Sequence, residues 1–321
     1  MTFKEYIVKQ LKEMKGKKKV LIIDGTDKRA RKAAFMHKED GFVEPVMLYV
    51  KKSDQPKGCI ADSIIMEDWK DREKELVDLY VEIRKGKETE EQAKKAVWIP
   101  HFFAMLMIRM GEVDGVVGGL INPTADILRA AFKVIGPKKG IKTISSVMIM
   151  ERAHEWYIFS DISVNIMPSK DQLVDIAVNA SDFAQQIGFK TKVGFLSFST
   201  SGSAVHERSI MVADATKDFN KSYKPAYPAI GEVQFDAAFV PEIRKMKYKD
   251  ASFTKNPTVL IFPNLEAGNI GYKIAQRMGG FGAIGPIITG VNKPVNDLSR
   301  GATAEDVYNT ILLTAIQVEE K

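Results

Sequence analysis

Short apolar runs alternate along the chain with longer segments in which apolar residues recur every three or four positions. The short runs, such as VLIID at residues 20–24 and KVGFLSF at residues 192–198, are typical of buried β-strands. The longer segments, such as DREKELVDLYVEIRKG and DQLVDIAVNASDFAQQIG, place their apolar residues on one face of a helix. This alternation predicts an α/β protein with mostly parallel sheets, whose ligands bind beyond the carboxyl ends of the strands.

The N-terminal segment predicts an amphipathic helix, because Phe3, Ile7, Leu11 and Met14 recur at helical spacing. It lacks the continuous apolar core of a signal peptide. No run in the chain approaches the roughly 18 apolar residues of a membrane helix. We therefore expect a cytoplasmic protein that has no membrane partner.

Length and composition indicate the number of domains and the redox state of the compartment. A chain of 321 residues predicts about two domains, and 45% hydrophobic residues are enough for packed cores. The single cysteine, Cys59, excludes an intramolecular disulfide and fits a reducing compartment. The net charge of +6 is mild, and its densest run, KGKKK at residues 15–19, has no interleaved aromatic residues. We therefore expect no nucleic-acid partner.

The C-terminal run NDLSRGATAEDV brings a hydroxyl (Ser299), a guanidinium (Arg300) and a carboxylate (Asp306) within eight residues. Thr303 and Asp306 have the spacing of a capping box, so Asp306 has one interpretation as a helix N-terminal carboxylate. The other interpretation is a site for an anion or a developing oxyanion, because backbone N–H groups point outward before a helix start. The residue pattern leaves both interpretations open.

Three further segments are candidates for a functional role, and the first of them could bind phosphate. Residues 197–203, SFSTSGS, follow a predicted strand and offer hydroxyls and free backbone N–H donors, although a flexible polar loop is an equal alternative. In VVGGLINPTADILRAAF, a strand runs into glycines and a helix then carries Arg129. In FPNLEAGNIGYKIAQRMGG, glycines indicate a close backbone approach, but their spacing does not match a dinucleotide-binding fingerprint. The four histidines have no metal-binding spacing, so we expect no metal site.

Taken in order, these motifs resemble the phosphate acetyltransferase (phosphotransacetylase) family. The segments that carry the resemblance are TADILRAAFKVIG, FLSFSTSGSA, EVQFDAAFVPEI, FPNLEAGNIGYKIAQRMGG and GPIITGVNKPVNDLSRG. The resemblance extends from about residue 18 onward and is strongest over residues 194–317.

The resemblance implies an acyltransferase of acetate metabolism that moves an acetyl group reversibly between acetyl phosphate and coenzyme A. It implies two α/β/α three-layer domains with mostly parallel sheets and an interdomain cleft. Residues 1–139 plus 292–321 would form the first domain, and residues 140–291 would form an inserted second domain. It also implies a homodimer, coenzyme A as a substrate, no bound cofactor, and metabolic coupling to acetate kinase.

The resemblance also assigns roles to individual residues. Ser299 and Arg300 match the reactive pair, Asp306 matches the proposed base, and Arg84 and Arg129 match arginines that contact coenzyme A. The remaining residues predicted to bind substrate are Ser197, Ser199, Thr200, Ser201, Gly202 and Asn292. Some members have a reactive cysteine near the position of residues 152–155, where this chain has none. We therefore expect direct attack by the thiolate rather than an acetyl-cysteine intermediate.

Three questions stay open at this stage. A free thiol titrates near pH 8.5 and an aspartate near 3.9, so Asp306 is either a base activated by desolvation or a group that orients the thiol. The acyl group could be butyryl, as in a phosphate butyryltransferase. The chain could also be a non-catalytic domain that binds acetyl-CoA, although it retains Ser299, Arg300 and Asp306.

Overall fold

The protein is described by a computed structural model that covers residues 2–248 and 253–318. The chain divides into two compact units. We call Lys4–Lys138 with Val291–Lys321 the terminal unit, and Lys139–Gly290 with Met1–Phe3 the inserted unit. The predicted domain boundaries stay a prediction, because compactness alone does not show that either part folds by itself.

Helices and strands alternate through most of the described chain. The strands are β1 (Lys19–Ile22), β2 (Glu44–Tyr49), β3 (Asp62–Ile65), β4 (Gly115–Gly118), β5 (Ser145–Arg152), β6 (Glu155–Ser160), β7 (Val193–Leu196), β8 (Ile230–Val233), β9 (Val259–Ile261), β10 (Gly282–Thr289) and β11 (Val295–Asp297). The α-helices are α1 (Phe3–Glu13), α2 (Lys28–Asp40), α3 (Glu73–Arg84), α4 (Glu90–Ala96), α5 (Pro100–Met110), α6 (Thr124–Ala130), α7 (Lys170–Gln186), α8 (Glu207–Tyr223), α9 (Phe235–Phe239), α10 (Pro241–Lys247), α11 (Leu265–Arg277) and α12 (Ala304–Ile316).

The terminal unit contains a five-stranded sheet in the order β11-β4-β1-β2-β3, and every neighbouring pair is parallel. Helices α2, α5 and α12 pack against this sheet. Its central strands β1 and β4 are therefore almost fully buried and consist mostly of valine, isoleucine, leucine and glycine. The order places the carboxyl ends of β11, β4 and β1 side by side, and the segments that follow β11 and β4 carry Ser299, Arg300 and Arg129.

The ends of the helices follow from local side-chain chemistry. Asp27 caps α2 by accepting a hydrogen bond from the backbone N–H of Arg29, and Gly41 ends that helix in the left-handed conformation. Thr303 and Asp306 form the capping box of α12, as the sequence predicts.

The inserted unit contains a six-stranded sheet in the order β10-β5-β6-β9-β7-β8. Strands β10, β5 and β6 pair in an antiparallel manner, and the remaining pairs are parallel. Strand β7 is fully buried and leads directly into the serine-rich loop at residues 197–203.

The predicted fold class of two α/β units with mostly parallel sheets is confirmed. Eight of the elements were not predicted from the sequence: β3, β6, β8, β11, α4, α8, α9 and α10. Most of them are short or have a weak apolar pattern, whereas β6 contains the apolar run WYIF. Strand β11, for example, has only three residues, two of which are polar. The predicted helix that carries Arg129 exists as α6, but it is followed directly by a π-helical turn over Ala131–Ile135. Within the described residues, no helix combines the length and the apolar character needed to cross a membrane.

Candidate active site

The carboxyl edge of the terminal-unit sheet gathers three loops. One follows β11 and carries Ser299 and Arg300, one follows β4 and leads into α6 with Arg129, and one follows β1 and leads into α2. In open α/β sheets this edge is the usual location of a ligand site.

The turn after β11 holds two of the predicted catalytic side chains at the surface. We call residues 299–302 the serine–arginine turn. The carbonyl oxygen of Ser299 accepts a hydrogen bond from Ala302 N at 2.9 Å, and its Oγ accepts one from Gly301 N at 3.2 Å. Both Ser299 and Arg300 are exposed. Among the described residues, none forms an ion pair with the Arg300 guanidinium. A hydroxyl donor and a cation are thus available to an anionic ligand.

Arg29, which sequence reasoning did not single out, holds this turn in place. Its Nη1 donates to the carbonyl oxygens of Arg300 at 2.7 Å and Ala302 at 2.8 Å, and its Nη2 lies 3.4 Å from the carbonyl oxygen of Leu120. The same guanidinium forms an ion pair with Asp27, which keeps the pKa of that carboxyl below its usual value. One side chain therefore connects the loops that follow β1, β4 and β11.

Asp306 begins α12 and already has hydrogen-bond partners. Its Oδ2 accepts from the backbone N of Thr303 at 2.7 Å and from Thr303 Oγ1 at 2.9 Å. The side chain is exposed, and its Oδ1 takes no part in the capping box. The capping interpretation is confirmed, and the catalytic role of Asp306 stays a prediction.

Asp297 is a second side chain that sequence reasoning missed. It lies two residues before Ser299, is buried, and accepts a hydrogen bond from Thr124 Oγ1 at 2.5 Å. Burial raises its pKa to about 7, with the hydrogen bond from Thr124 acting in the opposite direction. Asp24, after β1, is also buried and accepts a hydrogen bond from Leu120 N at 3.0 Å. Burial is the main cause of its raised pKa as well.

The two arginines that are predicted to contact coenzyme A lie on neighbouring elements. Arg129 on α6 is exposed and pairs with Asp126 at 2.7 Å. Arg84 at the end of α3 is mostly buried, lies 3.3 Å from Glu88, and donates to the carbonyl oxygen of Lys133 in the π-helical turn. Burial tends to raise the pKa of Glu88, but hydrogen bonds from Lys133 and Tyr80 outweigh it and lower that pKa. Arg84 is therefore engaged with a carboxylate, whereas most of the Arg129 guanidinium is open to solvent.

Asn292 lies close to the same π-helical turn and is held by it. Its backbone N donates to Gly136 O at 3.0 Å, and its Nδ2 lies 3.4 Å from Ile135 O. The residue is exposed, so the predicted contact with substrate is sterically open. Nothing in its surroundings assigns it a particular ligand.

The serine-rich loop of the inserted unit differs from the expectation. The backbone N–H groups of residues 199–204 all have partners within the protein, so the predicted free N–H donors are absent from this part of the described chain. The buried carboxylate of Glu232 takes the central place, where it accepts from Ser199 Oγ at 3.0 Å and Gly202 N at 2.6 Å. The phosphate-binding role of Ser197, Ser199, Thr200, Ser201 and Gly202 stays a prediction, and only side-chain hydroxyls could perform it without rearrangement of the loop.

Comparisons with known proteins agree with the motif resemblance. A family model described as "Phosphate acetyl/butaryl transferase" matches residues 2–315. The phosphate acetyltransferase of Bacillus subtilis (strain 168) is 48% identical over 243 residues, which cover 76% of this chain and 75% of that relative. A crystal structure of a phosphotransacetylase from Streptococcus pyogenes matches with a TM-score of 0.90 at 38% identity and covers 99% of both chains.

A second solved structure, EutD phosphotransacetylase from Staphylococcus aureus, matches with a TM-score of 0.86 at 37% identity over 98% of both chains. The resemblance predicted from the motifs is thereby confirmed. Because the family model and these relatives span nearly all of the chain, the protein belongs to the phosphate acetyl/butaryl transferase family.

Proposed function

We propose that the protein transfers an acetyl group reversibly between acetyl phosphate and coenzyme A. The observation that carries the proposal is the serine–arginine turn at the carboxyl edge of a parallel sheet. Its hydroxyl is exposed, and no residue of the described ranges forms an ion pair with its guanidinium. Membership of the family supports the reaction class. Acyl transfer develops negative charge on a carbonyl oxygen, and donors held in place for that charge are a major source of catalysis.

In the proposed reaction, the coenzyme A sulfur attacks the carbonyl carbon of acetyl phosphate. A C–S bond forms, the C–O bond to the phosphate breaks, and phosphate leaves with the electron pair of that bond. Ser299 donates its O–H to the oxygen that gains charge, and Arg300 neutralises this oxygen or the departing phosphate. The thiol proton passes to solvent water. The cleft between domains that the resemblance implies stays a prediction.

The capping box favours an orienting role for Asp306. One oxygen of the carboxylate is held by Thr303, and an exposed carboxylate at a helix N-terminus is a weak base for a thiol that titrates near pH 8.5. The second oxygen can accept a hydrogen bond from the thiol without breaking the cap. We therefore propose that Asp306 directs the thiol, and that deprotonation is completed by solvent.

For coenzyme A, the proposal assigns the phosphates to Arg129 and Arg84. The exposed Arg129 is ready for such a contact, whereas Arg84 would exchange Glu88 for the ligand. Contacts of Asn292 and of the serine-rich loop with substrate rest on the family resemblance alone. The internal hydrogen bonds of that loop count against backbone contacts with phosphate.

We also propose that the protein acts as a homodimer. Ile270 and Ile274 project from α11 and Met278 follows its last residue, so the three lie at intervals of four residues, and all are more than half exposed. Next to them lies an apolar cavity of about 670 Å³, lined in part by Phe198, Phe235 and Ile274. A surface with both protruding and recessed apolar parts suits the self-complementary contact of a two-fold dimer. Cytoplasmic location and coupling to acetate kinase remain proposals that rest on the family.

The test is a substrate comparison with the purified protein. Coenzyme A is supplied with acetyl phosphate or with butyryl phosphate, and thioester formation is followed by ultraviolet absorbance. Higher kcat/KM with acetyl phosphate supports the proposal. Higher kcat/KM with butyryl phosphate would assign the protein to the butyryl branch, and binding of acetyl-CoA without turnover would indicate a non-catalytic domain.

A further inference from the structure

The carboxyl group of Asp297 is buried with unusually few partners. The residue is only 2% exposed. Its Oδ2 accepts one hydrogen bond, from Thr124 Oγ1, and within the described chain no donor reaches its Oδ1. Asp161, an equally buried carboxylate in the inserted unit, instead accepts from several groups, including the backbone N–H groups of Ser146 and Asn165. Buried carboxylates normally collect donors in the manner of Asp161.

The backbone of Gly119 packs against Asp297 Oδ1. A side-chain Cβ at Gly119 would lie 2.3 Å from Asp297 Oδ1 and 2.6 Å from the carbonyl oxygen of Leu298, so only glycine fits there. Gly119 also has a φ of +106°, which other residues rarely adopt. The backbone after β4 thus packs directly on the carboxyl group, while Thr124 holds its other oxygen.

This arrangement reduces stability wherever Asp297 is ionised, that is, above about pH 7. A carboxylate that is buried with a single neutral partner loses more hydration free energy than one hydrogen bond returns. An amide or an apolar side chain of similar size would avoid that loss. A destabilising group beside a candidate catalytic turn indicates a role other than folding.

The hydrogen bond between Thr124 and Asp297 connects two segments that have separate roles in the proposed reaction. Asp297 ends β11 and is followed directly by the serine–arginine turn, whereas Thr124 is the first residue of α6, which carries Arg129. Leu298 N also donates to Gly118 O at 2.7 Å, so the backbones of the two segments already run side by side. The Asp297–Thr124 bond is a direct side-chain contact between the start of α6 and the residue that ends β11 before the turn.

We propose that Asp297 is a positioning residue, which through Thr124 locks the serine–arginine turn to α6 and so fixes Ser299 and Arg300 relative to the coenzyme A-binding helix. The proposal rests on the function proposed above. Asp297 itself lies beneath the surface and does not touch a substrate.

The kinetic test uses acetyl phosphate and coenzyme A with Thr124→Val, which removes the donor, and Thr124→Ser, which retains it. We expect Thr124→Val to lower kcat roughly tenfold to a hundredfold, the scale for a small misplacement of reacting groups, with much smaller changes in either KM. Thr124→Ser should keep kcat close to that of the unchanged protein. The double variant Thr124→Val with Asp297→Ala should lose no more activity than the more impaired single variant, because both remove one bond.

A matched control is Thr258→Val in the inserted unit, which also removes a threonine hydroxyl with backbone partners, Lys190 O and Lys192 N. It should leave kcat unchanged. Full kcat for folded Thr124→Val, or multiplied losses in the double variant, would overturn the proposal.

A second readout separates this proposal from the proposed function. Amide hydrogen exchange at Gly301 and Ala302 reports on the turn without any turnover. We expect faster exchange at both amides in Thr124→Val than in Thr124→Ser, and equal exchange would overturn the positioning role. If the unchanged protein shows no turnover with acetyl phosphate, the proposed function fails, while the exchange data still decide whether the link holds the turn.

Discussion

Arg29 donates a 2.7 Å hydrogen bond to the carbonyl oxygen of Arg300, across 271 residues of sequence. A second bond from the same Nη1 reaches the carbonyl oxygen of Ala302. The guanidinium is itself fixed by the two carboxylate oxygens of Asp27. The backbone of the candidate catalytic turn is therefore held by a planar cation, which leaves the side chains of Ser299 and Arg300 free to meet a ligand.

Replacement of the Arg29 guanidinium, which clamps the backbone of the serine–arginine turn, should impair catalysis more than folding. We expect Arg29→Lys to lower kcat by about tenfold or more, because a lysine ammonium cannot reproduce the forked contacts of a guanidinium. The measurement is steady-state kinetics with acetyl phosphate and coenzyme A. Arg31→Lys, on the same helix but without contact to the turn, is the control and should retain full activity. Equal activity of the two variants would show that the clamp is dispensable.

Asp306→Asn tests the orienting role of that carboxylate. An asparagine amide oxygen at this third helical position can still accept the hydrogen bond from Thr303 N, so the melting temperature should change little. We expect kcat to fall by roughly tenfold or less, since an amide oxygen can still accept a hydrogen bond from the thiol. A loss of a hundredfold or more with the helix intact, in the range for removal of a general base, would instead make Asp306 the base.

The sequence predicted most of the architecture, because parallel strands buried on both faces and capped amphipathic helices have strong local patterns. It predicted the site less well. Ser299, Arg300 and Asp306 lie in one short motif, whereas Arg29 looks like its neighbours Lys28 and Arg31 until the fold brings it to residue 300. The prediction of free N–H donors was wrong for residues 199–204, because serine hydroxyls of the same loop and Glu232 of β8 accept most of their hydrogen bonds.

His37 should make the free energy of unfolding fall in acid. It is buried against Tyr308, and burial lowers its pKa to about 4, with Asp40 and Lys4 as the nearby charges. Between about pH 6.5 and 4 the unfolded chain binds a proton that the folded protein does not, so the free energy of unfolding decreases as the pH falls. The full effect is on the order of 3 kcal/mol. Denaturant titrations at several pH values measure this dependence. His37→Gln should make the free energy of unfolding depend less on pH between about pH 6.5 and 4. An unchanged dependence would contradict the role given to His37.

Asp297 should have the opposite effect to His37, so that the free energy of unfolding falls as the pH rises. Burial raises its pKa to about 7, and the neighbouring Asp24 adds to the shift. Between about pH 4 and 7 the folded protein keeps a proton that the unfolded chain has released, so the free energy of unfolding decreases as the pH rises. The resulting loss in the free energy of unfolding is on the order of 4 kcal/mol, and Asp297→Asn should remove most of it. Any pH dependence that remains in the variant would come from Asp24. Parallel pH profiles for the variant and the unchanged protein would contradict this account.

The proposed dimer surface can be tested with a single charge. Ile274→Glu places a carboxylate between the apolar stripe of α11 and the adjoining cavity, where burial in a contact would be strongly unfavourable. We expect the unchanged protein to sediment as a dimer and Ile274→Glu as a monomer. Ile60→Glu, at an exposed apolar position of the terminal unit, is the control and should stay dimeric. A dimer that tolerates Ile274→Glu would place the contact elsewhere.

The most direct test of the central claim is the rate of acetyl-CoA formation from acetyl phosphate and coenzyme A by Ser299→Ala. Ser222→Ala, which alters an exposed serine of α8, serves as the control. The account predicts rapid turnover by the unchanged protein and the control, and a kcat on the order of tenfold to a thousandfold lower for Ser299→Ala, because one donor to the developing oxyanion is lost. An unaltered kcat for Ser299→Ala would contradict the account.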